Sequence, residues 1–461
     1  MNQILLNTIP LSDEIIVHKV IEEGEEIVNQ SKEVEITANG ETTIIADDDY
    51  TGLSEVKITC NVPTEKPFYF DYGKDVNFRD YDGTLLYSYT WAEAKALTAL
   101  PALPTRDGMT YEEWNYTLAE LKEQCDSENI NYGKAEIGAC CHTTDKKTRL
   151  YITVEEDTLS TPVYLVFTQS SASQLSINWG DGSIAQTSNI AGNNVLSYTY
   201  SQAGDYVITL TNNGSQEILL GGYNTAPNIT NTSTNLLTPA NDENHVNLNR
   251  LKRVEHGLHF AITDLTYRMF NNLQSMNIPR SDSFSYRTFE RLRVNYLCLP
   301  KKRENDFIGT NGFKDGCFYT VSLPSDGKDY NKPFVNARLA TFIIPKKAYL
   351  SESSFENAEL LKCYNVSQST TLASKVFYNC KDLKSISITS TVTIIKANAL
   401  YGCSSLTTVD FSHHTTVPIL EATSAFTATN DNLRILVPST LYETWIAATN
   451  WSSLASKIEA V

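Results

Sequence analysis

Histidine and glutamate side chains lie close together at one point of the sequence, Glu255-His256-Gly-Leu-His259. Imidazole nitrogens and carboxylate oxygens are common ligands of Zn²⁺, and a zinc ion with one open position activates water. The segment has no plausible third ligand and does not follow the HExxH pattern of zinc proteases. We therefore interpret it as part of a structural surface.

Two further histidine-containing groups are equally isolated. Cys140-Cys141-His142 has no second group of ligands at metal-binding spacing. His413-His414 follows a predicted strand and is interpreted as a loop. The sequence thus predicts no metal-binding residue.

Paired acidic residues are the other possible source of chemistry. Asp47-Asp48-Asp49 could ligate calcium, but the glycine and glutamate spacing of an EF-hand loop does not follow, which favours a solvated turn. Glu155-Glu156 could serve glycoside hydrolysis only if the fold set two carboxyl groups on opposite sides of a sugar. A polysaccharide-degrading spike remains an alternative, without predicted catalytic residues.

The motifs of the common enzyme classes do not occur in the sequence. There is no Walker loop, no GxGxxG, no GxSxG and no HExxH. We predict that the chain is not an enzyme and uses no cofactor.

The composition favours strands and limits the choice of partners. Tyrosine (25) and phenylalanine (17) are frequent and methionine (4) is scarce, which favours strands and turns over helices. The formal net charge of −17 repels phosphate groups, so we expect no nucleic-acid partner. No apolar run reaches transmembrane length, and we expect no membrane insertion.

The N-terminus and the cysteines favour assembly inside a cell. The first residues lack the basic start, apolar core and cleavage site of a secretory signal. Nine cysteines, an odd number spread along the chain, are not typical of a disulfide framework. We expect reduced thiols and assembly in a bacterial cytoplasm.

Residues 1–63 form a predicted N-terminal β module. Two strand-like runs begin at Glu33 and Glu55, with an Asn39-Gly40 turn between them. This stretch resembles short N-terminal modules of phage tail and fibre proteins, and the resemblance implies attachment to a virion.

Residues 64–150 form a predicted second module with one helix. The segment Leu103 to Trp114 is similar to the internalin B-repeat family, in which a DG turn leads to a P-T-x-x-G-Y-x-F-x-x-W segment. Tyr111, Trp114, Leu118 and Leu121 fall at helical spacing, and Thr110 with Glu113 fits a capping box. This spacing predicts an amphipathic helix that the family lacks.

Residues 151–222 carry the most specific local motif. Trp179-Gly-Asp181-Gly is followed by a strand in which Tyr206, Ile208 and Leu210 alternate. Trp179 would fill a core, and Asp181 would cap amides in a glycine turn rather than take part in catalysis. The arrangement resembles the PKD domain, which implies an immunoglobulin-like β-sandwich.

Residues 223–247 are rich in Asn, Thr and Pro and predict a linker or loop.

Residues 248–437 repeat a large apolar anchor residue at a period near 22, which predicts a solenoid of stacked strands and turns. Eight anchors are predicted: Phe270, Phe289, Phe313, Phe334, Phe355, Phe377, Leu400 and Phe426.

The repeat units resemble the BspA-type leucine-rich repeat. The stretches FYNCKDLKSISI and LYGCSSLTTVDF follow the family's pattern, with Cys380 and Cys403 at its internal cysteine position, where we expect buried thiols. Insertions at 300–335 depart from the pattern and are where binding loops would lie. No individual binding residue is predicted.

Residues 438–461 form a predicted capping helix for the solenoid. Leu441, Trp445 and Ala448 fall at helical spacing. The sequence of the segment is similar to the ends of repeat proteins in gut bacteriophage virions and in related bacterial surface proteins.

The sequence as a whole predicts a mainly β, multidomain protein with small β modules, a PKD-like immunoglobulin-like sandwich and a C-terminal leucine-rich-repeat solenoid. The resemblance implies a structural virion protein, a head or tail fibre that binds other virion proteins through its N-terminal part. Its repeats would bind a host-surface glycan or protein, and we expect a homo-oligomer, a trimer or dimer. A bacterial cell-surface adhesin of the BspA kind is a further alternative.

Overall fold

The protein forms two compact units, Met1–Lys74 and Asp75–Val461. The computed structural model describes residues 74–126, 134–223, 233–234, 236–237, 246–262, 266–278, 288–301, 311–323, 333–341, 351–360 and 370–461, and six strands among the first 73 residues. The predicted fold class is confirmed, because the chain is mostly β with small β domains on the N-terminal side and a C-terminal β-solenoid of about six turns.

The described part of the first unit consists of six strands. They are β1 Gln3–Leu6, β2 Ile15–Lys19, β3 Ser31–Val34, β4 Thr42–Ile45, β5 Val56–Cys60 and β6 Phe68–Phe70. Strand β1 pairs with β4, and the other four form an antiparallel sheet in the order β3-β2-β5-β6. The predicted Asp47-Asp48-Asp49 turn lies outside the described residues.

The second unit begins with a small α+β module, residues 75–143. Its sheet has the order β8-β7-β10-β9 and carries two short helices. The elements are β7 Val76–Arg79, β8 Leu85–Tyr89, α1 Trp91–Ala96, β9 Met109–Trp114, α2 Leu118–Cys125 and β10 Ala135–Thr143. Capping boxes begin both helices, at Thr90 with Glu93 and at Thr117 with Glu120.

The predicted single helix through residues 111–121 is wrong. Met109–Trp114 is strand β9, and the capping box lies at Thr117 rather than Thr110. A β-bulge explains the misleading spacing, because Cys140 pairs with Glu113 while Cys141 pairs with Tyr111, which leaves one extra residue in β9. Tyr111 and Trp114 both face the core of the module although they are three residues apart, which is the spacing expected of a helix.

The next part of the unit is a sandwich of two sheets that share one core. Its strands are β11 Thr148–Val154, β12 Val163–Gln169, β13 Leu175–Asn178, β14 Gln186–Thr187, β15 Gly192–Tyr198, β16 Gly204–Asn212 and β17 Ile218–Leu220. Trp179 is fully buried in the core, as predicted, and its carbonyl accepts a hydrogen bond from the Tyr200 hydroxyl at 2.7 Å. Gly180 has φ +86°, and a Cβ there would lie 2.6 Å from the Val207 carbonyl oxygen.

The sandwich and the solenoid are continuous. Strand β20 (Leu251–Glu255) pairs with β11 of one sheet, and β21 (Phe260–Ile262) pairs with β17 of the other. One hydrophobic cluster runs from Leu150 in the sandwich to Ile458 near the C-terminus. The sandwich and the solenoid therefore share one core, while the α+β module has a separate core of its own.

Part of the predicted linker at 223–247 belongs to this core. Leu236 and Leu237 are fully buried, and helix α3 begins at Val246 and runs to Arg250. Short strands β18 Gly222–Tyr223 and β19 Ser233–Thr234 pair with each other. The segment is otherwise rich in Asn, Thr and Pro, and its composition therefore predicts a linker and not a buried segment.

The solenoid strands pair in parallel from one repeat to the next. They are β22 Ser275–Met276, β23 Arg293–Cys298, β24 Cys317–Ser322, β25 Arg338–Thr341, β26 Glu359–Leu360, β27 Thr371–Leu372, β28 Ser385–Ser387, β29 Ile394–Ile395, β30 Thr408–Asp410, β31 Ile419–Leu420 and β32 Arg434–Val437.

The predicted anchors form a column of stacked rings inside the solenoid. Centroid distances between successive rings from Phe289 to Phe377 are 4.9 to 5.4 Å, with interplanar angles of 12° or less. The backbone ladder continues the series, since the amide of Phe377 donates to Ala399 and that of Leu400 donates to Ala425. Phe426 therefore occupies the next anchor position.

The first anchor is Tyr267, not Phe270 as predicted. The Tyr267 ring is parallel to the Phe289 ring at 6.2 Å, and its amide donates to Thr288 as the other anchor amides donate along the ladder. Phe270 is also buried, but it lies three residues later, at the position that Cys380 and Cys403 hold in their own units. With two aromatic residues so close in sequence, spacing alone favoured the wrong one.

The residue two positions after each anchor has a left-handed backbone. Asn336, Asn357 and Asn379 have φ of 55° or 56°, and Gly402 has φ +76°. Asparagine and glycine adopt this conformation at low cost. The Asn357 side chain donates to Asn336 at 3.1 Å and that of Asn336 to Asp315 at 2.8 Å, which joins successive turns on the outside.

The C-terminal segment closes the end of the solenoid. Helix α4 (Tyr442–Ala447) lies within the predicted capping helix, and strand β33 (Ile458–Ala460) adds a last parallel pairing to β32 that was not predicted. Trp445 and Trp451 are fully buried, and the indole N–H of Trp451 donates to the Pro418 carbonyl at 2.8 Å. In the part of the chain that the structure describes, no helix is long and apolar enough to cross a membrane.

The aromatic column predicts a large loss of stability when one ring is removed. Phe334→Ala should lower the free energy of unfolding by about 3–5 kcal/mol, because it leaves a cavity between two stacked rings. Tyr378→Ala is the matched control, since Tyr378 is half-buried and stacks on Tyr401 outside the core; it should cost about 0.5–1.5 kcal/mol. Urea denaturation checks both, and equal losses would contradict the assignment.

Candidate binding site

The α+β module packs against the outer face of the first solenoid strands. Tyr296 and Cys298 of β23 point away from the solenoid core and bury themselves against Cys140 of β10. Asn115 joins the two parts, because its amide donates to Leu299 O at 3.0 Å and to Ser322 Oγ at 2.8 Å. This part of the repeat surface is therefore covered.

Gly138 allows the close approach of these two parts. A Cβ at Gly138 would lie 2.2 Å from Cys298 Sγ and 2.6 Å from the Tyr296 hydroxyl oxygen. The Gly138 amide also donates to Asn115 Oδ1 at 2.9 Å. A side chain at this position would push the module away from the repeats.

Gly138→Ala should therefore lower the free energy of unfolding by about 1–3 kcal/mol through overpacking. Denaturation by urea and limited proteolysis at the module boundary would measure the effect. Thr110→Ala, on the neighbouring strand β9, serves as the control, because the Thr110 hydroxyl bonds only at the exposed rim to Thr144. Unchanged stability of Gly138→Ala would rule out the tight contact.

A polar cleft opens where the module, the sandwich and strand β20 meet. Its volume is about 650 Å³, and its walls come from four stretches that are distant in sequence, within residues 81–82, 106–108, 144–151 and 253–255. They include Tyr81, Arg106, Arg149, Tyr151 and Glu255. We call this the Glu255 cleft.

Glu255 lies at the centre of the hydrogen bonding in the cleft. Its carboxylate accepts a hydrogen bond from the Tyr151 hydroxyl at 2.8 Å and a longer one from the Tyr81 hydroxyl at 3.4 Å. Arg253 lies over the Tyr151 ring, 3.7 Å from its centroid, and its Nε is 3.6 Å from Glu255. Burial, and then the neighbouring Glu255, raises the pKa of both tyrosines, so both remain hydroxyl donors at neutral pH.

The two other arginines of the cleft are held by carboxylates. Arg149 makes two hydrogen bonds to Asp145, at 3.1 and 2.5 Å, and these bonds lower the pKa of Asp145. Arg106 donates to Asp82 at 2.7 Å. Burial alone would raise the pKa of Asp82, but the Arg106 and Thr84 hydrogen bonds lower it. The cleft thus has fixed ion pairs rather than a protonated acid at these positions.

The structure separates the histidines of the segment that first suggested a metal site. Glu255 faces the cleft, whereas His256 is fully buried on the opposite side of the strand and shares a hydrogen bond with the Tyr267 hydroxyl. His259 is exposed, with a left-handed φ of +70°. Among the described residues, no three His, Cys, Asp or Glu side chains form a group that could hold a metal ion.

The remaining candidate residues also lie apart from one another. Cys141 is buried beside Tyr81 and Met109, and burial raises its pKa. His142 is buried, while Glu155 and Glu156 are exposed at the start of a short 3₁₀ helix.

The last histidines and the turn acid have local structural roles. His413 is exposed, whereas His414 is buried against Phe411. Asp181 accepts a bond from the Ser183 amide at 3.0 Å and one from the Tyr198 hydroxyl, as expected of a turn residue.

The repeat cysteines are buried, as predicted. The Cys380 thiol donates to the carbonyl of Phe355 at 2.9 Å and the Cys403 thiol to that of Phe377 at 3.1 Å, so each bonds to the anchor of the preceding turn. All cysteines whose side chains are described are free thiols.

The sequence did not reveal the Glu255 cleft. Its walls include Asp82 and Asp107-Gly108, from two Asp-Gly turns that indicated a fold and not a ligand. The insertions at 300–335 that were predicted to carry binding loops lie mainly outside the described residues.

The architecture defines the C-terminal region as a repeat β-solenoid. Comparison with protein families identifies this region as the BspA type leucine rich repeat region, in six copies over residues 260–362 and 328–442. The chain therefore contains BspA-type leucine-rich repeats, whose first matched residue lies in strand β21. A comparison with curated proteins found no match.

Buried His256 predicts that acid destabilises the fold. Burial lowers its pKa to about 3, so the folded state keeps the ring neutral while the unfolded chain protonates it below about pH 6.5. The contribution of His256 to stability should fall by about 1.4 kcal/mol per pH unit from about pH 6 down to about pH 3.

Urea denaturation between pH 4 and 7 would measure this slope against His256→Gln, in which the slope should be smaller by the His256 contribution. Exposed His413→Gln is the matched control and should keep the wild-type slope. If His256→Gln has the wild-type pH dependence, His256 is not the titrating group.

Proposed function

We propose that this chain is a bacteriophage fibre protein that binds a host-surface molecule through its C-terminal repeats. The observation that carries the binding role is the set of six BspA-type repeats, which suggests a surface adhesin or binding protein. The fibre assignment is supported by the resemblance of the N-terminal segment to modules of phage tail and fibre proteins. The PKD-like Trp179 motif and the last residues resemble segments of both virion proteins and bacterial surface proteins.

The shared core supports a role in presenting a binding surface. Each repeat of a solenoid normally contacts only its neighbouring repeats, so the first and last repeats need other segments to cover them. Here the sandwich extends both sides of the first turn, and Trp445 and Trp451 close the last one. Such a rigid body can present a binding surface at a distance from its attachment point.

We further propose that the outer tyrosine stack is part of the contact surface. Tyr378 and Tyr401 are half-buried, with ring centroids 5.0 Å apart, and Lys375 Nζ lies 5.7 Å from the Tyr378 centroid. Tyrosine is enriched among residues that dominate binding energies, because it buries a large ring at a small cost in entropy.

A polysaccharide-degrading spike is the enzymatic alternative. Glycoside hydrolysis needs one carboxyl group that stays protonated as a general acid. Hydrogen bonds from arginines lower the pKa of Asp145 and Asp82 in the Glu255 cleft, whereas burial raises the pKa of the neighbouring Asp80. A bacterial cell-surface adhesin of the BspA kind is the second candidate, and it rests on the same repeats.

Binding of the fluorescently labelled full chain to host bacteria tests the proposal. Saturable binding is expected, and Tyr378→Ser with Tyr401→Ser should weaken it at least about tenfold. Tyr164→Ser is the matched control, since Tyr164 is half-buried on the outer face of sandwich strand β12. Binding that survives the double substitution would reject this surface, and release of sugar ends would favour the spike.

Antibody labelling distinguishes the fibre from the bacterial adhesin. Label on purified phage particles is expected, in two or three copies per fibre if the chain is a dimer or trimer. Label confined to bacterial envelopes would reject the virion assignment and leave the binding role intact.

A further inference from the structure

We infer that the Glu255 cleft binds a short, neutral saccharide. This site is separate from the repeat surface of the proposed function and does not depend on it. It is formed by residues of the α+β module, the sandwich and strand β20, all within one compact unit.

The size of the cleft fits a small ligand. Its volume of about 650 Å³ lies within the range of roughly 300–1,000 Å³ that is typical of small-molecule sites. The cleft is open to solvent, and exposed residues such as Arg106, Asp107 and Asp145 form part of its wall. A ligand that extends out of the cleft, such as the end of a chain, could therefore enter.

The walls place hydrogen-bond donors and acceptors side by side. Each guanidinium group has five N–H donors, and each carboxylate offers about four acceptor positions, so an ion pair retains capacity for a ligand. Arg149 with Asp145 and Arg106 with Asp82 present such pairs. Each sugar hydroxyl can both donate and accept a hydrogen bond, so two neighbouring hydroxyls match a pair of one arginine and one carboxylate.

The charge of the lining disfavours an anionic ligand. Three arginines contribute positive charge, Arg106, Arg149 and Arg253. Four carboxylates oppose them, Asp82, Asp107, Asp145 and Glu255. Since each arginine lies beside a carboxylate and the chain carries a net charge of −17, a phosphate or uronic acid would meet net repulsion.

Tyr151 is the aromatic residue of the cleft that suits the apolar part of a sugar. Tyr81 is buried, with Arg106 lying 5.0 Å from its ring centroid, whereas Tyr151 is half-buried and its ring could meet the C–H groups of a sugar. Tyr81 and Tyr151 both direct their hydroxyls to Glu255, and Arg253 holds the Tyr151 ring from one side. Because these side chains are already fixed by one another, little ordering remains to oppose binding.

The test is a titration of the full chain with defined probes. Neutral oligosaccharides of glucose, galactose, mannose and N-acetylglucosamine are compared with glucuronic acid and inorganic phosphate by calorimetry and by ligand-observed NMR. Saturable binding of at least one neutral saccharide is expected. Binding of the anions alone, or of none of the probes, would overturn the inference.

Two variants locate the binding. Glu255→Gln keeps the shape of the side chain but removes its charge and an acceptor, and it should weaken saccharide binding at least about tenfold. Asp205→Asn is the matched control, because Asp205 is an exposed carboxylate on β16 that accepts from Thr153. If Glu255→Gln does not fold, Asp145→Asn at the exposed rim replaces it. Unchanged affinity in the folded cleft variant would place the saccharide elsewhere.

The outcome is separable from the proposed function. Tyr378→Ser with Tyr401→Ser should leave saccharide binding unchanged, since this pair lies outside the cleft. A chain that binds cells but no saccharide rejects the cleft inference alone. A chain that binds a saccharide but no cells rejects the proposed function alone.

Discussion

The stacked aromatic column sets the geometry of the second unit. Ring centroids about 5 Å apart repeat at nearly the distance between neighbouring β-strands, so rings and backbone ladders can advance together from turn to turn. A single turn could not bury its ring, because both faces need a neighbour. The left-handed residues at Asn336, Asn357 and Asn379 keep this spacing by reversing the chain at the same point of each turn.

A column of this kind has two ends, and both are closed by structures outside the repeats. At one end the sandwich extends β20 and β21, so the first ring, Tyr267, meets a continuous core instead of water. At the other end Trp445 and Trp451 cover Phe411 and Phe426. Open strand edges would otherwise invite association with further chains. Both faces of each anchor ring need to be covered. The flanking segments therefore become part of the core, for the same reason that the repeats stack.

The repeats were predictable because each repeat contacts mainly its neighbours along the chain, so a period in the sequence becomes a period in the structure. The wrong predictions concern residues whose positions do not follow from this period. Spacing favours Phe270 over Tyr267 because two aromatic rings lie within one turn, and only the ring stacking and the hydrogen-bond ladder of the structure distinguish them. The bulge opposite Cys140 and Cys141 gave strand β9 a helix-like spacing. Leu236 and Leu237 were hidden within a polar segment, although the core needs both.

The Glu255 cleft shows why motifs predicted so little of the site. Glu255 and His256 are adjacent, and adjacent side chains in a strand point to opposite faces. One therefore lines the cleft and the other lies in the core beside Tyr267. Tyr81 and Tyr151 reach Glu255 only because β11 pairs with β20 and because Gly138 lets the α+β module approach the repeats. A site assembled in this way depends on long-range pairing, so its chemistry becomes visible only after the fold is known.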